Sequence, residues 1–599
     1  MRELEYPFDG NYIIKKKKSL RRQLLSEEGV RFTPLRIAIL GGETTNDIKN
    51  VMELFLLNNK IQPEFYESEY NRYYEDAMFP NEELESFKPE LIFFCTCNRN
   101  IAEFPEITDS NELVESKLQS TYERFQAMWD HVSTTYNCPI IQNNFDPPMF
   151  RLMGNRDSWD IHGRTNFINR LNQLFAEYAA AHENFYIHDI NYEASVIGLS
   201  NWSDSSYWHM YKYGVSVPAI PFFSFNVSNI VKSIIGKNKK VLMLDMDNTL
   251  WGGVIGDDGA DNIEIGQETA MSQVYSEFQS YVKSLKSLGV LLTVNSKNDH
   301  DTAVKGLERP DSILHPDDFV SMKINWDPKS RNLVDTAAEL NLLPESFVFA
   351  DDNPAEREII RQEVPGASVP EIGNSPEHYI EILDRSGFFE TTNLSADDLK
   401  RNEMYQANAA RSAAKASFQD YDDYLKSLQM NGEIQGFVPA YMARIAQLTN
   451  KSNQFNLTTK RYTQSEIEAV SADPSYIDIY GKLTDKFGDN GVVSVVIGNV
   501  RNNECHIDLW IMSCRVLKRQ MENAMMDALV HECKARGLQK IVGYYYPTAK
   551  NNMVREFFAD RGFNKISEDT DGNTVWEFDL TADYTLQNTV ISVNKTEDC

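Results

Sequence analysis

The stretch that decides the fold is KKVLMLDMDNTLWGGVIGDDG, Lys239 to Gly259. Val241 to Leu244 form a short apolar run fed by lysines, the pattern of a buried parallel strand approaching its polar end. Side chains repeat every two residues along a strand, so Asp245 and Asp247 leave it on the same side. Two carboxylates held that close repel unless a cation sits between them or one of them stays protonated. The first alternative points to a metal, the second to acid and base work.

Later strand ends decide between them. LLTVNSKND places Ser296 and Lys297 just beyond a second apolar strand, and FVFADDNPAER places Asp351 and Asp352 just beyond another. Ligands of open α/β sheets bind outside the carboxyl ends of strands, so the three loops are expected to converge. INWDPKSRN, between them, adds the cation Lys329. Carboxylates, a hydroxyl and a lysine at strand ends suit a hard, oxygen-seeking ion such as Mg²⁺ holding a phosphate. In that set Asp245 is expected to attack phosphorus and form an aspartyl-phosphate. Asp247 is expected to protonate the leaving group and then deprotonate the incoming nucleophile, while Ser296 and Lys329 hold the phosphoryl oxygens. The expected metal ligands are Asp245, Asp247, Asp351 and Asp352, and the expected substrate contacts in the same loops are Thr249, Lys297, Asn298 and Asn353.

The 599 residues exceed what one core serves and suggest three or four domains. With 42% hydrophobic and 25% charged residues the composition is that of a soluble globular protein. A formal charge of -29 argues against nucleic acid or an anionic membrane as partner. The basic run KKKKSLRRQ, Lys15 to Gln23, opposes that trend and reads either as a partner contact or as a solvated helix start. No apolar run approaches membrane-spanning length, and the first residues lack the apolar centre of a signal peptide, so a cytoplasmic location is expected. The seven cysteines (95, 97, 138, 505, 514, 533 and 599) have no paired metal spacing and are expected to be reduced. The histidines form no zinc-type pair.

The alternation of strands and helices makes the chain a multidomain α/β protein with parallel sheets. A basic extension over 1–35 precedes a first α/β domain over 36–228, with strands such as LRIAILGG and PELIFFCTC. The domain holding Asp245 covers 229–386, a polar, alanine-rich helical connector 387–432, and a smaller α/β domain 433–582. Its strands are VVSVVIG, HIDLWIM, KIVGYYY and TVWEFDL, around helices at Arg519 to Arg536 and Asn552 to Arg561. Residues 583–599 read as a loose tail.

DMDNT, the serine of NSKND, Lys329 and ADDN, in that order, resemble the four motifs of the haloacid dehalogenase (HAD) superfamily, and WGGVIGDDG resembles its FkbH-like branch, HAD-IIIC. ADDLKRNEMYQANAAR is similar to that branch's connector. AQLTNKSNQFNLTTKRYT, DKFGDNGVV, MSCRV and YYPTAKN resemble its GNAT-like C-terminal domain, and the first domain resembles the SGNH-like module placed in front. The resemblance implies phosphate removal from a phosphorylated metabolite such as 1,3-bisphosphoglycerate and glyceryl transfer to an acyl carrier protein. A simple phosphatase and a carrier-binding scaffold without turnover are the rival readings.

The chain also departs from the family. Asn295 stands where many relatives carry a cysteine before the second-motif serine, which leaves Cys514 of MSCRV as the candidate acyl carrier. The run RVLKRQ has Lys518 and Gln520 where a CoA-binding loop expects glycines, which leaves Lys518 and Arg519 to attract an acyl-CoA or phosphopantetheine phosphate, with Arg515 and Arg519 the expected substrate contacts. Asn453, Gln454 and Asn456 form a polar cluster that either binds substrate or satisfies loop backbone. GGETT offers Glu43, Thr44 and Thr45 where an SGNH hydrolase needs the serine of a Gly-Asp-Ser turn, so a docking module is expected there rather than a hydrolase.

Overall fold

The structure, a computed structural model, describes all residues except Glu28, Ala416, Ser417, Gln419, Ser452, Asn453, Ala549 and 595–599; at Ala396, Asp397, Ala409, Ala410, Ser412, Ala413, Lys451, Cys514 and Asn594 it describes the backbone alone. The chain divides into two compact units, Met1–Lys237 with Glu390–Thr392, and Asn238–Phe389 with Asn393–Cys599.

The first unit is built on five parallel strands, β1 (Thr33–Gly41), β2 (Ile61–Glu67), β3 (Leu91–Cys95), β4 (Ile140–Asn143) and β5 (Phe185–His188), in the order β2-β1-β3-β4-β5. IAIL, residues 37–40, is apolar without interruption because both sheet faces are covered: Ile37 and Ile39 join one core, Ala38 and Leu40 the other. The basic run does not stand apart as an extension. It forms a helix, Gly10–Leu25, capped by the Asp9 carboxylate, which buries Ile13, Leu20 and Leu24. Its cations are partly spent within the unit, Lys17 pairing with Asp47 and Arg21 with Glu53 at 2.8 Å. At the other end helix Ile220–Ile234 packs into the same core, so the unit runs past the expected boundary at 228.

The second unit contains a four-stranded parallel sheet, β6 (Val241–Leu244), β7 (Leu291–Ser296), β8 (Ser321–Ile324) and β9 (Phe347–Ala350), ordered β8-β7-β6-β9. β6 is central, so the loops after β7 and β9 flank the end that carries Asp245.

The same unit holds a nine-stranded mixed sheet. Its strands are β10 (Asn431–Gln435), β11 (Phe455–Asn456), β12 (Tyr476–Asp485), β13 (Gly488–Arg501), β14 (Glu504–Met512), β15 (Lys540–Tyr545), β16 (Asn564–Glu568), β17 (Thr574–Asp579) and β18 (Ser592–Asn594). Helix Met521–Ala535 buries a methionine-rich face against it. The second expected helix is reduced to short turns, Asn552–Val554 and Ala559–Arg561. The tail is not loose up to residue 594: Asp527 accepts hydrogen bonds from the Tyr584 hydroxyl (2.6 Å) and from the Gln587 and Asn588 N–H groups (2.9 Å each), and β18 pairs with β10. The connector forms a helix, Arg401–Lys415, whose Arg411 makes a bidentate pair with Asp485 at 2.7 and 2.8 Å.

Candidate active site

The carboxyl end of the four-stranded sheet gathers the motif residues as their strand-end positions require. Lys329 starts the helix that follows β8, and its buried ammonium lies 2.9 Å from Asp245 Oδ1 and 2.6 Å from Asp351 Oδ2. Oxygens of Asp245, Asp351 and Asp352 lie within 4.8 Å of one another. Burial raises the pKa of the Asp245 carboxyl; Lys329 opposes the shift and Asp351 adds to it. Burial likewise raises Asp351 against the pull of Lys329, and raises Asp352 with help from Asp245. Burial pulls the Lys329 ammonium down, but Asp245 and Asp351 outweigh it and hold the group charged.

Three crowded carboxylates share one lysine, so the pocket is electrostatically incomplete, and a divalent cation is what such a group lacks. An octahedral Mg²⁺ with oxygens at about 2.1 Å needs ligand atoms about 3 to 4 Å apart, which this cluster meets with small side-chain adjustments. The donor set, all hard oxygens, fits that ion.

Asp247 departs from its expected place among the metal ligands. Its carboxylate is directed at the flap: Oδ1 accepts from the Trp251 indole N–H and the Ile255 N–H, both at 3.0 Å, and Oδ2 accepts from the Asn298 amide at 2.8 Å. The same amide reaches Ser296 Oγ at 3.2 Å, so Asn298 links the two groups rather than pointing outward. Trp251 is buried, and the helix His300–Leu307 packs on it through Gly306, where a Cβ would meet Trp251 and Ile255 at 2.9 Å. WGGV turns back through Gly253 (φ +94°) and pairs Gly252 with Glu264, forming a short flap beside Asp247.

Other expected contacts take structural positions. Thr249 Oγ1 accepts from the Asp352 N–H at 3.3 Å, and Asn353 caps helix Pro354–Glu363 while its own N–H reaches Asp351 Oδ1 at 2.9 Å. Lys297 pairs with Glu356 at 2.6 Å.

The residue Arg357 and the bracing role of Asn295 escaped the sequence reading. Arg357, buried, donates from one nitrogen to the carbonyls of Asp351 and Asp352, each at 2.7 Å, and so fixes the acidic loop. Its signal was an arginine on the buried stripe of a helix, three residues before Ile360. Asn295, fully buried, donates to the Lys329 carbonyl at 2.8 Å and accepts from Asn332 at 3.1 Å, tying β7 to the start of the lysine helix. Nothing in the local sequence announces that pairing.

The described C-terminal candidates are not part of this cluster. Asn453 and the Cys514 side chain lie outside what the structure describes. Asn456 Oδ1 accepts from the Thr459 N–H at 2.9 Å, and its carbonyl accepts from Asn551 at 2.9 Å; Gln454 Oε1 is buried without a hydrogen-bond partner among the described residues. Arg515 Nε donates to Ser513 Oγ at 3.2 Å. Arg519 is not a free phosphate contact: it is buried against Asp485 (3.3 Å) and Asn408 (2.8 Å). Burial lowers its guanidinium to about 10, Arg411 adding and Asp485 opposing. Lys518 and Gln520 both sit at φ +62°, so the loop keeps a glycine-like conformation with other side chains.

Residues 36–232 match the family model for the FkbH N-terminal domain. The chain is similar to a solved N-terminal part of protein BF1531 from Bacteroides fragilis, described as containing a phosphatase domain and complexed with Mg: 29% identity, TM-score 0.59, covering 63% of this chain and 99% of that one. Acetyltransferase structures match smaller parts at low score. The Escherichia coli ribosomal-protein-S18-alanine N-acetyltransferase has 12% identity and a TM-score of 0.21 over 26% of this chain and 99% of that one. Ard1 from Thermoplasma volcanium has 19% identity and a TM-score of 0.20 over 25% and 97%. No curated protein matches the sequence. Residues 36–232 are thus similar to an FkbH N-terminal domain, and the chain is similar to a protein described as containing a phosphatase domain. Among the described residues, no helix is long and apolar enough to cross a membrane.

Proposed function

We propose that the protein carries out Mg²⁺-dependent phosphoryl transfer through Asp245 on a small phosphorylated metabolite and hands a glyceryl or related acyl group to an acyl carrier protein. The observation that supports the chemistry is the Lys329 ammonium held between Asp245 and Asp351 beside a third carboxylate. Asp245 attacks phosphorus, the bond to the leaving oxygen breaks, and that oxygen takes a proton from Asp247. Asp247 then accepts a proton from the incoming nucleophile as the aspartyl-phosphate is cleaved. Trp251, Ile255 and Asn298 hold the Asp247 carboxyl in place for both steps. Lys329 and Ser296 bind the phosphoryl oxygens, whose charge Lys329 offsets. Asp245, Asp351 and Asp352 would hold Mg²⁺, which when bound offsets the repulsion between nucleophile and phosphate.

In the transfer half a thiol attacks the acyl carbon of the acyl phosphate and phosphate leaves, giving a thioester that the phosphopantetheine thiol takes over by exchange, while Asp245 removes the other, alkyl phosphate. This half rests on the sequence resemblance of the C-terminal part, with Cys514 as candidate acyl carrier and the 513–521 loop as candidate phosphopantetheine contact. The SGNH-like front unit is the candidate docking module. A stand-alone phosphatase is the second reading, favoured by Arg519, whose guanidinium is committed to Asp485 and Asn408.

The test is intact-mass spectrometry of a phosphopantetheinylated carrier protein incubated with enzyme, Mg²⁺ and 1,3-bisphosphoglycerate. A glyceryl mass gain that disappears with Asp245→Asn supports transfer, and its loss in Cys514→Ala assigns the thiol. Phosphate release with an unmodified carrier selects the phosphatase. Full phosphate release by Asp245→Asn refutes both.

A further inference from the structure

Lys297 and Glu356 are 59 residues apart in sequence and 2.6 Å apart in space. Lys297 follows β7 directly and Glu356 lies in the first turn of helix Pro354–Glu363, which follows β9. Because β6 lies between β7 and β9, the ion pair spans the carboxyl end of the strand that carries Asp245. It straps the segments after β7 and β9 together.

The strap is asymmetric. The lysine side chain is 39% exposed and the glutamate side chain 12%. Only one carboxylate oxygen meets the lysine; Oε2 is buried without a hydrogen-bond partner among the described residues. A carboxylate that has lost water on one oxygen and gained nothing for it is held at a cost, and its partner is open to a better anion. An ammonium on a flexible stem is suited to exchange partners, as a rigid guanidinium is not.

We propose that Glu356 is a specificity residue: it occupies Lys297 until a substrate brings a second anionic group, a carboxylate or a further phosphate, to replace it. The inference rests on the phosphoryl-transfer reading of the site and names its substrate class: small metabolites with an anion besides the phosphoryl group that is transferred. Lys329 serves the transferring group, and Lys297, one loop over, serves the other. Substrates with a single anionic group must leave the strap intact.

Steady-state kinetics with Mg²⁺ on two probes tests this, using 4-nitrophenyl phosphate, with one anionic group, and 3-phosphoglycerate, with a carboxylate besides its phosphate. The full chain is compared with Glu356→Gln, Lys297→Met and the double variant, each checked by thermal melt for folding. A half-exposed ion pair sets a competition of up to about fivefold. Glu356→Gln is therefore expected to lower KM for 3-phosphoglycerate relative to 4-nitrophenyl phosphate by about that factor, and Lys297→Met to abolish the difference in either background. An equal change for both probes overturns the inference, as does a Glu356→Gln effect that survives in the double variant. Absence of wild-type turnover on both probes overturns the phosphoryl-transfer reading, and this inference with it.

Discussion

The buried acids of the first unit yield a sharp expectation for pH. Glu43, just after β1, is 2% exposed; its Oε1 meets the Cys95 thiol at 3.5 Å, and Oε2 fills the space where a Cβ on Gly214 would lie, 1.8 Å away. Burial pushes its pKa from 4.5 to about 8, with Asp146 adding and the Cys95 and Gly214 donors opposing. Asp146, past the end of β4, is pushed to about 6 by burial, against hydrogen bonds from the Asn98 N–H and the Trp202 indole. Both groups bind protons more tightly folded than unfolded, so the stability they supply is complete at low pH and lost as pH rises through the folded values. The Asp146 share is spent by about pH 6, which leaves the window from 6 to 8 to Glu43. At about 1.4 kcal/mol for each pH unit, the first unit is expected to lose about 3 kcal/mol between pH 5.5 and 8. Hydrogen exchange of the full chain, corrected for the intrinsic pH dependence of exchange, reads this at the amides of 36–45 and 199–216. Protection in the wild type should fall about a hundredfold across that window. Glu43→Gln removes the larger share and should keep only the small fall near pH 6 that Asp146 supplies, of roughly fourfold. Wild-type protection independent of pH, or the same fall in Glu43→Gln, would refute the reasoning.

Two substitutions probe the second unit. Gly306→Ala puts a methyl group 2.9 Å from both Trp251 and Ile255, so it should cost about 1 to 3 kcal/mol in urea unfolding and lower kcat more than it changes KM, since Trp251 holds Asp247. Asp485→Asn leaves the buried Arg411 and Arg519 without their shared counter-ion and should cost about 3 to 5 kcal/mol, seen as an early thermal transition; an unchanged melt would mean that water already solvates the pair.

The candidate site was legible because its parts lie at strand ends. Apolar runs of four to six residues announce buried parallel strands, and the polar residues that end them, Asp245, Ser296 and Asp351, had to meet wherever the sheet's carboxyl edge is. Lys329 was readable as the lysine of INWDPKSRN, between those runs. The tail was misread because its docking depends on Asp527, a single acid on a distant helix. The same holds for Arg519: a basic residue in a loop looks available for phosphate until the connector helix supplies Arg411 and Asn408 around Asp485.

By itself, then, the sequence determined the α/β class, the candidate site residues at the strand ends and their convergence, because periodicity and strand polarity are local properties. Only the tertiary structure decided that Asp247 faces the flap rather than the acidic cluster, that Asn295 and Arg357 brace Lys329 and the acidic loop, and that Lys297 is bound by Glu356. These depend on strand order and on which helix faces meet, and contacts between residues far apart in the chain leave no periodic trace in it.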